Sequence, residues 1–292
     1  MLPSHLPLCI SLRLCAPASN QMSDEKISFQ GYRQLTTTRQ DFPILDYDAD
    51  RIAMLEPSKL IARLPAMPER CVITFFNDVI SHMLAGGLLV EIAELRSEIG
   101  RHPIYRVEGS DPPVAIFHPG IGAPLAAGFL EEVIALGADK FVACGGAGTL
   151  DAAHAVGNLI VPVAAVRDEG TSYHYLPPAA EVEPTPAALA ALCAALDDAG
   201  VPYERTKTWT TDAIYRETRG KVALRRNQGC GCVEMEAAAL FAVARFRGVE
   251  LAQVLYAGDD LSGEFWDSRS WSKRWGVREG LVQLAMQACQ RI

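Results

Sequence analysis

Six short apolar runs, Ile52–Leu55, Cys71–Phe76, Val114–Phe117, Phe141–Cys144, Leu159–Val166 and Leu251–Tyr256, punctuate the chain, with segments of helical period between them. Runs that are short and apolar at nearly every position suit strands buried on both faces. The helical segments Leu125–Leu136, Pro186–Ala199 and Glu236–Arg247 are each closed by a glycine, Gly137, Gly200 and Gly248, the residue that most readily takes the left-handed position after a helix. Strand alternating with helix is the pattern of βα units. The sequence therefore predicts a single-domain, three-layer α/β/α fold in which helices flank a central mixed, largely parallel sheet and ligands bind at the carboxyl ends of strands. No internal repeat interrupts the pattern, and the proline-rich stretch 176–186 is too short to divide domains.

The chain has 292 residues, 49% of them hydrophobic, and a mean hydropathy of +0.10, enough to bury a large core without disulfides or metals. A formal net charge of −8 with no block of Lys or Arg argues against nucleic acid or an anionic membrane as partner and toward small molecules. The eight cysteines are scattered, several inside apolar runs, which reads as reduced core thiols of a cytoplasmic protein. Cys230 and Cys232 form a C-x-C pair without a second pair or a His cluster at zinc spacing, so no metal is expected. Residues 1–22 are apolar but lack a basic n-region and are broken by Arg13; they read as a non-native or disordered extension rather than a signal peptide. Residues 23–48 read as a polar arm that packs late or contacts a neighbouring subunit, and residues 49–292 as the folded domain. No stretch has the length of a membrane-spanning helix.

Glycine-rich turns are expected after three strands: Gly120–Gly122, Gly145–Gly148 and Gly258. Glycine lets backbone N–H groups approach phosphate or sugar oxygens, and the same glycines suit ordinary tight turns. Glu234 and Glu236 stand at the start of an apolar helix, where the helix dipole favours carboxylates. A carboxylate there also suits two adjacent sugar hydroxyls, and it can stabilise the positive charge of a ribosyl ring whose glycosidic bond is breaking. Asp259 and Asp260 follow a near-continuous apolar strand; an acid at that edge can cap a turn or protonate a leaving base. One acid for the sugar and one for the leaving group make a glycosyl-transfer site.

HPGIGAP at 118–124, CGGAGTL at 144–150, VRDEGTSYHY at 166–175, TTDAIYRET at 210–218, VEMEAAALF at 233–241 and the Gly258 turn, in this order, resemble the nucleoside phosphorylase superfamily. The likeness is to uridine phosphorylases and to nucleosidases that hydrolyse methylthioadenosine and adenosylhomocysteine. It implies that Met235 and Glu236 hold the ribose, with Glu234 beside them. It places the acid for a purine leaving group at Asp259, where uridine phosphorylases have none, which tilts the base toward purine. The aromatic position of the base pocket falls on Ile214, with Tyr215 beside it. Gly122, Gly145, Gly146 and Arg167 complete the implied substrate site, and Lys59, Gly146 and Arg167 are its candidates for phosphate.

The phosphate machinery departs from the family pattern. Phosphate-using relatives carry an Arg before the central glycine turn and a Ser or Thr within it, where this chain has Ala143 and Gly146; Glu56–Lys59 stands where a G-D-P-x-R turn would follow the first strand. Lys59, Arg63 and Arg167 supply charge only if the fold gathers them. The first reading is a nucleoside phosphorylase with phosphate as co-substrate and no cofactor. The second is a nucleosidase using water in the same site, and the third is a nucleoside-binding or storage protein without turnover. The resemblance implies a homo-oligomer, dimer or hexamer. Trp266, Trp271 and Trp275 follow the acid turn; packing is the expected role and a lid the alternative.

Overall fold

A computed structural model describes residues 42–292. The expected extension 1–22 and residues 23–41 of the arm lie outside the described residues. The elements run α1 (Pro57–Leu60), β1 (Arg70–Thr74), α2 (Asn77–Ala85), β2 (Leu89–Ser97), β3 (Gly100–Val107), β4 (Val114–Phe117), α3 (Ala123–Leu136), β5 (Lys140–Thr149), β6 (Leu159–Asp168), β7 (Glu181–Val182), α4 (Pro186–Asp198), β8 (Tyr203–Thr211), α5 (Arg219–Asn227), β9 (Cys230–Glu234), α6 (Ala237–Arg247), β10 (Glu250–Asp260) and α7 (Trp275–Cys289).

The strands form one mixed sheet in the order β10-β6-β8-β9-β5-β1-β4-β3-β2, with β7 on β6, and an added β10–β5 pairing closes one end of the sheet on itself. One face packs under α3 and α6, where Ile73, Phe117, Phe141, Phe129 and Phe241 are buried together. The other packs under α2, α4 and α7, with Val72, Ile116, Val142, Leu192 and Leu281 in its core. Alternate residues of β1 thus serve opposite faces, which is why its sequence is apolar throughout. The three-layer expectation holds. The antiparallel share is larger than the apolar runs alone suggest, because β2–β3 is a hairpin and β9 and β6 run against β5 and β10.

Three segments differ from the sequence reading, one of them Gly258, which lies inside β10 and not in a turn after it. Ile52–Leu55 forms no strand and is exposed; the Asp48 and Asp50 side chains accept the N–H groups of Asp50 and Ile52, local bonds that compete with a strand ladder. The first strand is β1, so the turn after it is Phe75–Asn77, and the Glu56–Lys59 stretch precedes the sheet rather than following its first strand. The glycines 145–148 form no turn: β5 runs through them to Thr149, with Gly145, Gly146 and Ala147 opposite Leu255, Tyr256 and Ala257 of β10.

α6 is buried at every position from Ala237 to Ala244. A helix buried all round has no polar face, and its alanines let neighbouring elements approach closely. It ends at Gly248 in the left-handed conformation, φ 74°, as its sequence requires.

Candidate active site

β5 changes neighbours along its length. β1 pairs with it as far as Cys144, and β9 joins it, antiparallel, only from Gly148. The edge of residues 145–147 on that side therefore lacks a strand partner. The carboxyl ends of β1 and β4 come up to this opening from one direction and those of β8 and β9 from the other, a topological switch point of the kind that holds ligands in α/β sheets. Side-chain bulk is kept off this strip: a methyl on Gly145 would stand 3.0 Å from the Phe75 ring, and one on Gly146 3.2 Å from the Tyr256 ring.

Glu234 closes β9 and is buried. Its Oε1 accepts the hydroxyls of Thr208 at 3.2 Å and Thr210 at 2.7 Å, and its Oε2 accepts the N–H groups of Glu236 at 2.8 Å and Ala237 at 2.6 Å. The second pair are N–H groups at the start of α6, which have no partner within the helix. Thr210 Oγ1 also accepts the Ala238 N–H at 3.0 Å. Glu234 thus ties β8, β9 and α6 together, and its four bonds match the acceptor capacity of a carboxylate. Burial pushes its carboxyl above the ordinary range, and the four donors oppose that shift.

Glu236 occupies the N-cap of α6 with φ −137° and is buried. Its Oε1 accepts the Gly122 N–H at 2.6 Å, joining the cap of α6 to the cap of α3. Burial first, and the nearby Glu234 second, raise its carboxyl above the usual range; backbone bonds from Gly122 and Met235 pull it down. Two backbone donors leave acceptor capacity for sugar hydroxyls. Met235 beside it is half-buried.

Asp259 comes from the far end of β10, after a register irregularity between Ala257 and Asp260; such bulges re-aim side chains. A methyl on Gly148 would stand 3.6 Å from Asp259 Oδ1, 3.0 Å from Val233 and 2.5 Å from Leu261. Glycine at 148 therefore makes room for Leu261, two residues after Asp259, and Asp259 itself lies within ordinary contact distance of β5 next to the strand that carries Glu234. Asp259 Oδ2 accepts the Trp266 indole N–H at 2.7 Å. Asp260 points elsewhere, pairing with Arg269 and accepting the Ser262 N–H at 2.8 Å.

Sequence reasoning gave no role to Glu217, within TTDAIYRET. Burial and the charge of Asp259 push its carboxyl up to about 7, so the structure sets two carboxyl groups near one another. Only the acid type at 217 was legible; its neighbour is 42 residues away in the chain.

Several expected residues are placed elsewhere. Arg167 is buried and donates to Ser172 Oγ at 2.8 Å, the Pro177 carbonyl at 2.8 Å and the Leu176 carbonyl at 3.1 Å, with its guanidinium over the Tyr173 ring. Its donors brace the 167–177 loop and are not turned to an anion. Lys59 is exposed on α1, a segment anchored by Glu56 to Arg247 in the last turn of α6. Arg63 lies against Gly137 at the C-terminal end of α3. At 1.5 Å per residue, the ends of α3 and α6 lie roughly 15–20 Å from the caps at Gly122 and Glu236, so Lys59 and Arg63 lie at the ends of these helices away from the Gly122–Glu236 contact. Ile214 and Tyr215 lie on a short 3₁₀ turn, and both are exposed, Tyr215 at 95%. Of the tryptophans, Trp271 packs on Gly258 and its carbonyl accepts the Tyr256 hydroxyl at 2.9 Å. Trp275 meets the His82 ring edge-on at 5.0 Å. Trp266, 64% exposed, is the one bonded to an acid of the site. Among the described residues no cluster of three or more His, Cys, Asp or Glu side chains could hold a metal, and no helix is long and apolar enough to cross a membrane.

The model of the Phosphorylase superfamily matches residues 69–284. The chain is 33% identical over 199 residues to a uridine phosphorylase of Thermococcus kodakarensis, covering 59% of this chain and 70% of that one. It is 30% identical over 166 residues to a guanosine phosphorylase of Halorubrum lacusprofundi, covering 57% and 69%. Its fold is similar to that of the purine nucleoside phosphorylase of Toxoplasma gondii, solved with immucillin-H, with a TM-score of 0.66 at 21% identity over 80% of this chain and 92% of that one.

Proposed function

Because this chain belongs to the phosphorylase superfamily, we propose that it cleaves the N-glycosidic bond of a nucleoside with a purine-type base and transfers the ribose to phosphate. The observation that carries this reading is the meeting of Glu236 and Gly122 beside the unpaired edge of β5, with Asp259 across the same strand. Glu236 accepts hydrogen bonds from the two ribose hydroxyls, and in its ionised form it favours the positive character that develops on the ring. The C1′–N bond breaks with its electron pair leaving on the base. A proton passes to the base from the Asp259–Glu217 pair, of which Glu217, with its carboxyl near 7, is suited to hold a proton at neutral pH. A phosphate oxygen forms the new C1′–O bond. This chemistry asks for no metal or organic cofactor.

The guanosine and uridine phosphorylases among its relatives favour phosphate as acceptor. The placing of Lys59, Arg63 and Arg167 away from the site favours the second reading, in which a water oxygen attacks C1′ and releases a proton. In the first reading the phosphate charge is met by a neighbouring subunit of a homo-oligomer. Incubating the protein with purine and pyrimidine nucleosides, with and without phosphate, tests both: ribose 1-phosphate formed only with phosphate is expected. Free ribose released at the same rate without phosphate would establish hydrolysis. Nucleoside binding without base release would leave a binding protein.

A further inference from the structure

The Gly120–Gly122 turn that supplies Glu236 with its backbone donor has a conformationally permissive glycine on each side of Ile121. Gly120 has φ +79° and Gly122 has φ +88°, backbone conformations that L side chains rarely adopt. A methyl at position 120 would stand 2.2 Å from Leu125 Cδ2, so glycine is required there, and with it comes the freedom to leave the native conformation. Two side chains tie the turn down. Glu236 accepts the Gly122 N–H at 2.6 Å, and His118, at the end of β4, accepts the Gly120 N–H on Nδ1 at 3.0 Å.

His118 is itself held. Its ring meets Phe75 edge-on at 6.0 Å, and the Phe75 backbone accepts a hydrogen bond from it. An imidazole that accepts at Nδ1 and donates elsewhere is in its neutral Nε2–H form. Burial supports that form by lowering the ring's pKa, with a small added push from His102 of β3.

We infer that His118 is a positioning residue for the ribose-gripping carboxylate: it fixes the Gly120–Gly122 turn, and the turn aims the Gly122 N–H at Glu236. This inference rests on the reading of Glu236 as the ribose acceptor. It assigns His118 no contact with the reacting atoms, only control over where Glu236 is held. Asn suits this role better than other replacements, since its Oδ1 sits near the place of Nδ1 and accepts the same N–H.

The test compares His118→Asn, His118→Ala and His118→Gln, each alone and in a Glu236→Gln background, reading KM, kcat and melting temperature. His118→Ala is expected to raise nucleoside KM and lower kcat/KM by about tenfold in all, the equivalent of one hydrogen bond's worth of placement. His118→Asn is expected to recover most of the loss and His118→Gln little of it. In the Glu236→Gln background His118→Ala should change kcat/KM less than about twofold, because residues acting through one another are not additive. Equal losses in both backgrounds, or Asn no better than Ala, would overturn the inference. Nitrogen-15 NMR of the wild-type ring, expected to show the Nε2–H tautomer at neutral pH, tests the Gly120 bond whether or not nucleosides are cleaved. The Nδ1–H tautomer would remove that bond and the inference with it, whereas failure of every nucleoside substrate alongside the Nε2–H form would count against the proposed function alone.

Discussion

Gly122 and Glu236 lie 114 residues apart and meet through a 2.6 Å hydrogen bond from backbone N–H to carboxylate, so that the caps of two helices on the same face of the sheet share one contact. Replacing Glu236 with Gln keeps an acceptor oxygen and removes the ionisable carboxyl. The expected result is a fall in kcat/KM of about a hundredfold, the scale seen when one preorganised electrostatic group is lost from a reacting centre. Steady-state kinetics on the best nucleoside substrate checks it.

Thr210→Val should act through Glu234. The valine deletes both the hydroxyl donated to Glu234 at 2.7 Å and the acceptor of the Ala238 N–H at 3.0 Å. Leaving a buried carboxylate and a helix N–H short of partners costs about 1–3 kcal/mol. Urea unfolding is expected to show a lower midpoint at unchanged slope, with nucleoside KM raised as the start of α6 loosens.

Arg167→Ala separates a structural role from an anion-binding one. Its donors are taken by Ser172 and the carbonyls of Leu176 and Pro177, so the expected loss is stability, about 2–4 kcal/mol for a buried, charge-assisted network. KM for phosphate in the folded variant is expected to stay within about threefold, since three of the guanidinium's N–H donors are bonded inside the 167–177 loop. A large rise in phosphate KM with unaltered melting temperature would return Arg167 to the anion site.

Glu132, buried on α3, has its carboxyl pushed up to about 7 from 4.5 by burial. The folded value lies above the unfolded one, so the favourable contribution is complete below the unfolded value and is lost as pH rises through about 7. Glu132→Gln is therefore expected to be more stable than the wild type at high pH, by about 1–2 kcal/mol after allowing for solvent screening. The two proteins should converge below the unfolded value of 4.5, which melting curves across the range measure.

Trp266→Phe removes the indole N–H that Asp259 accepts. A base that bonds to Asp259 comes up beside this indole, so nucleoside binding should change the emission of an exposed tryptophan. The change is expected in the wild type and absent from the variant; its persistence in Trp266→Phe would assign it to Trp209, Trp271 or Trp275.

Much of this architecture was written in local sequence. The apolar runs of β1, β4, β5, β6 and β10 and the glycine-closed helices α3, α4 and α6 follow from burial on both faces and from the demands of a helix end, which are properties of a few neighbouring residues. VEMEA, with an acid at the start of an all-apolar helix, marked Glu236 before any contact was known. The β2–β3 hairpin escaped notice because its strands carry charges that hide its pattern: Arg101 pairs across the hairpin with Glu91 and Glu94, and Arg96 pairs with Glu94 along β2. β9 escaped because five residues, two of them cysteine and one glycine, carry little periodicity.

What tertiary structure decided was which of the marked residues share a space and which are already occupied. Sequence gives Glu234 and Glu236 the same chemistry; only the packing of β8 beside β9 adds the Thr208 and Thr210 hydroxyls to the two local N–H donors of Glu234 and leaves Glu236 to Gly122. Sequence offers Arg167, Arg63 and Lys59 as equal cations; only the fold shows one bracing a loop and two at the distal ends of α3 and α6. The physical reason is that hydrogen bonds and charge act over a few ångströms, and distances of that size between residues 40 to 200 positions apart are set by the sheet, not by the chain.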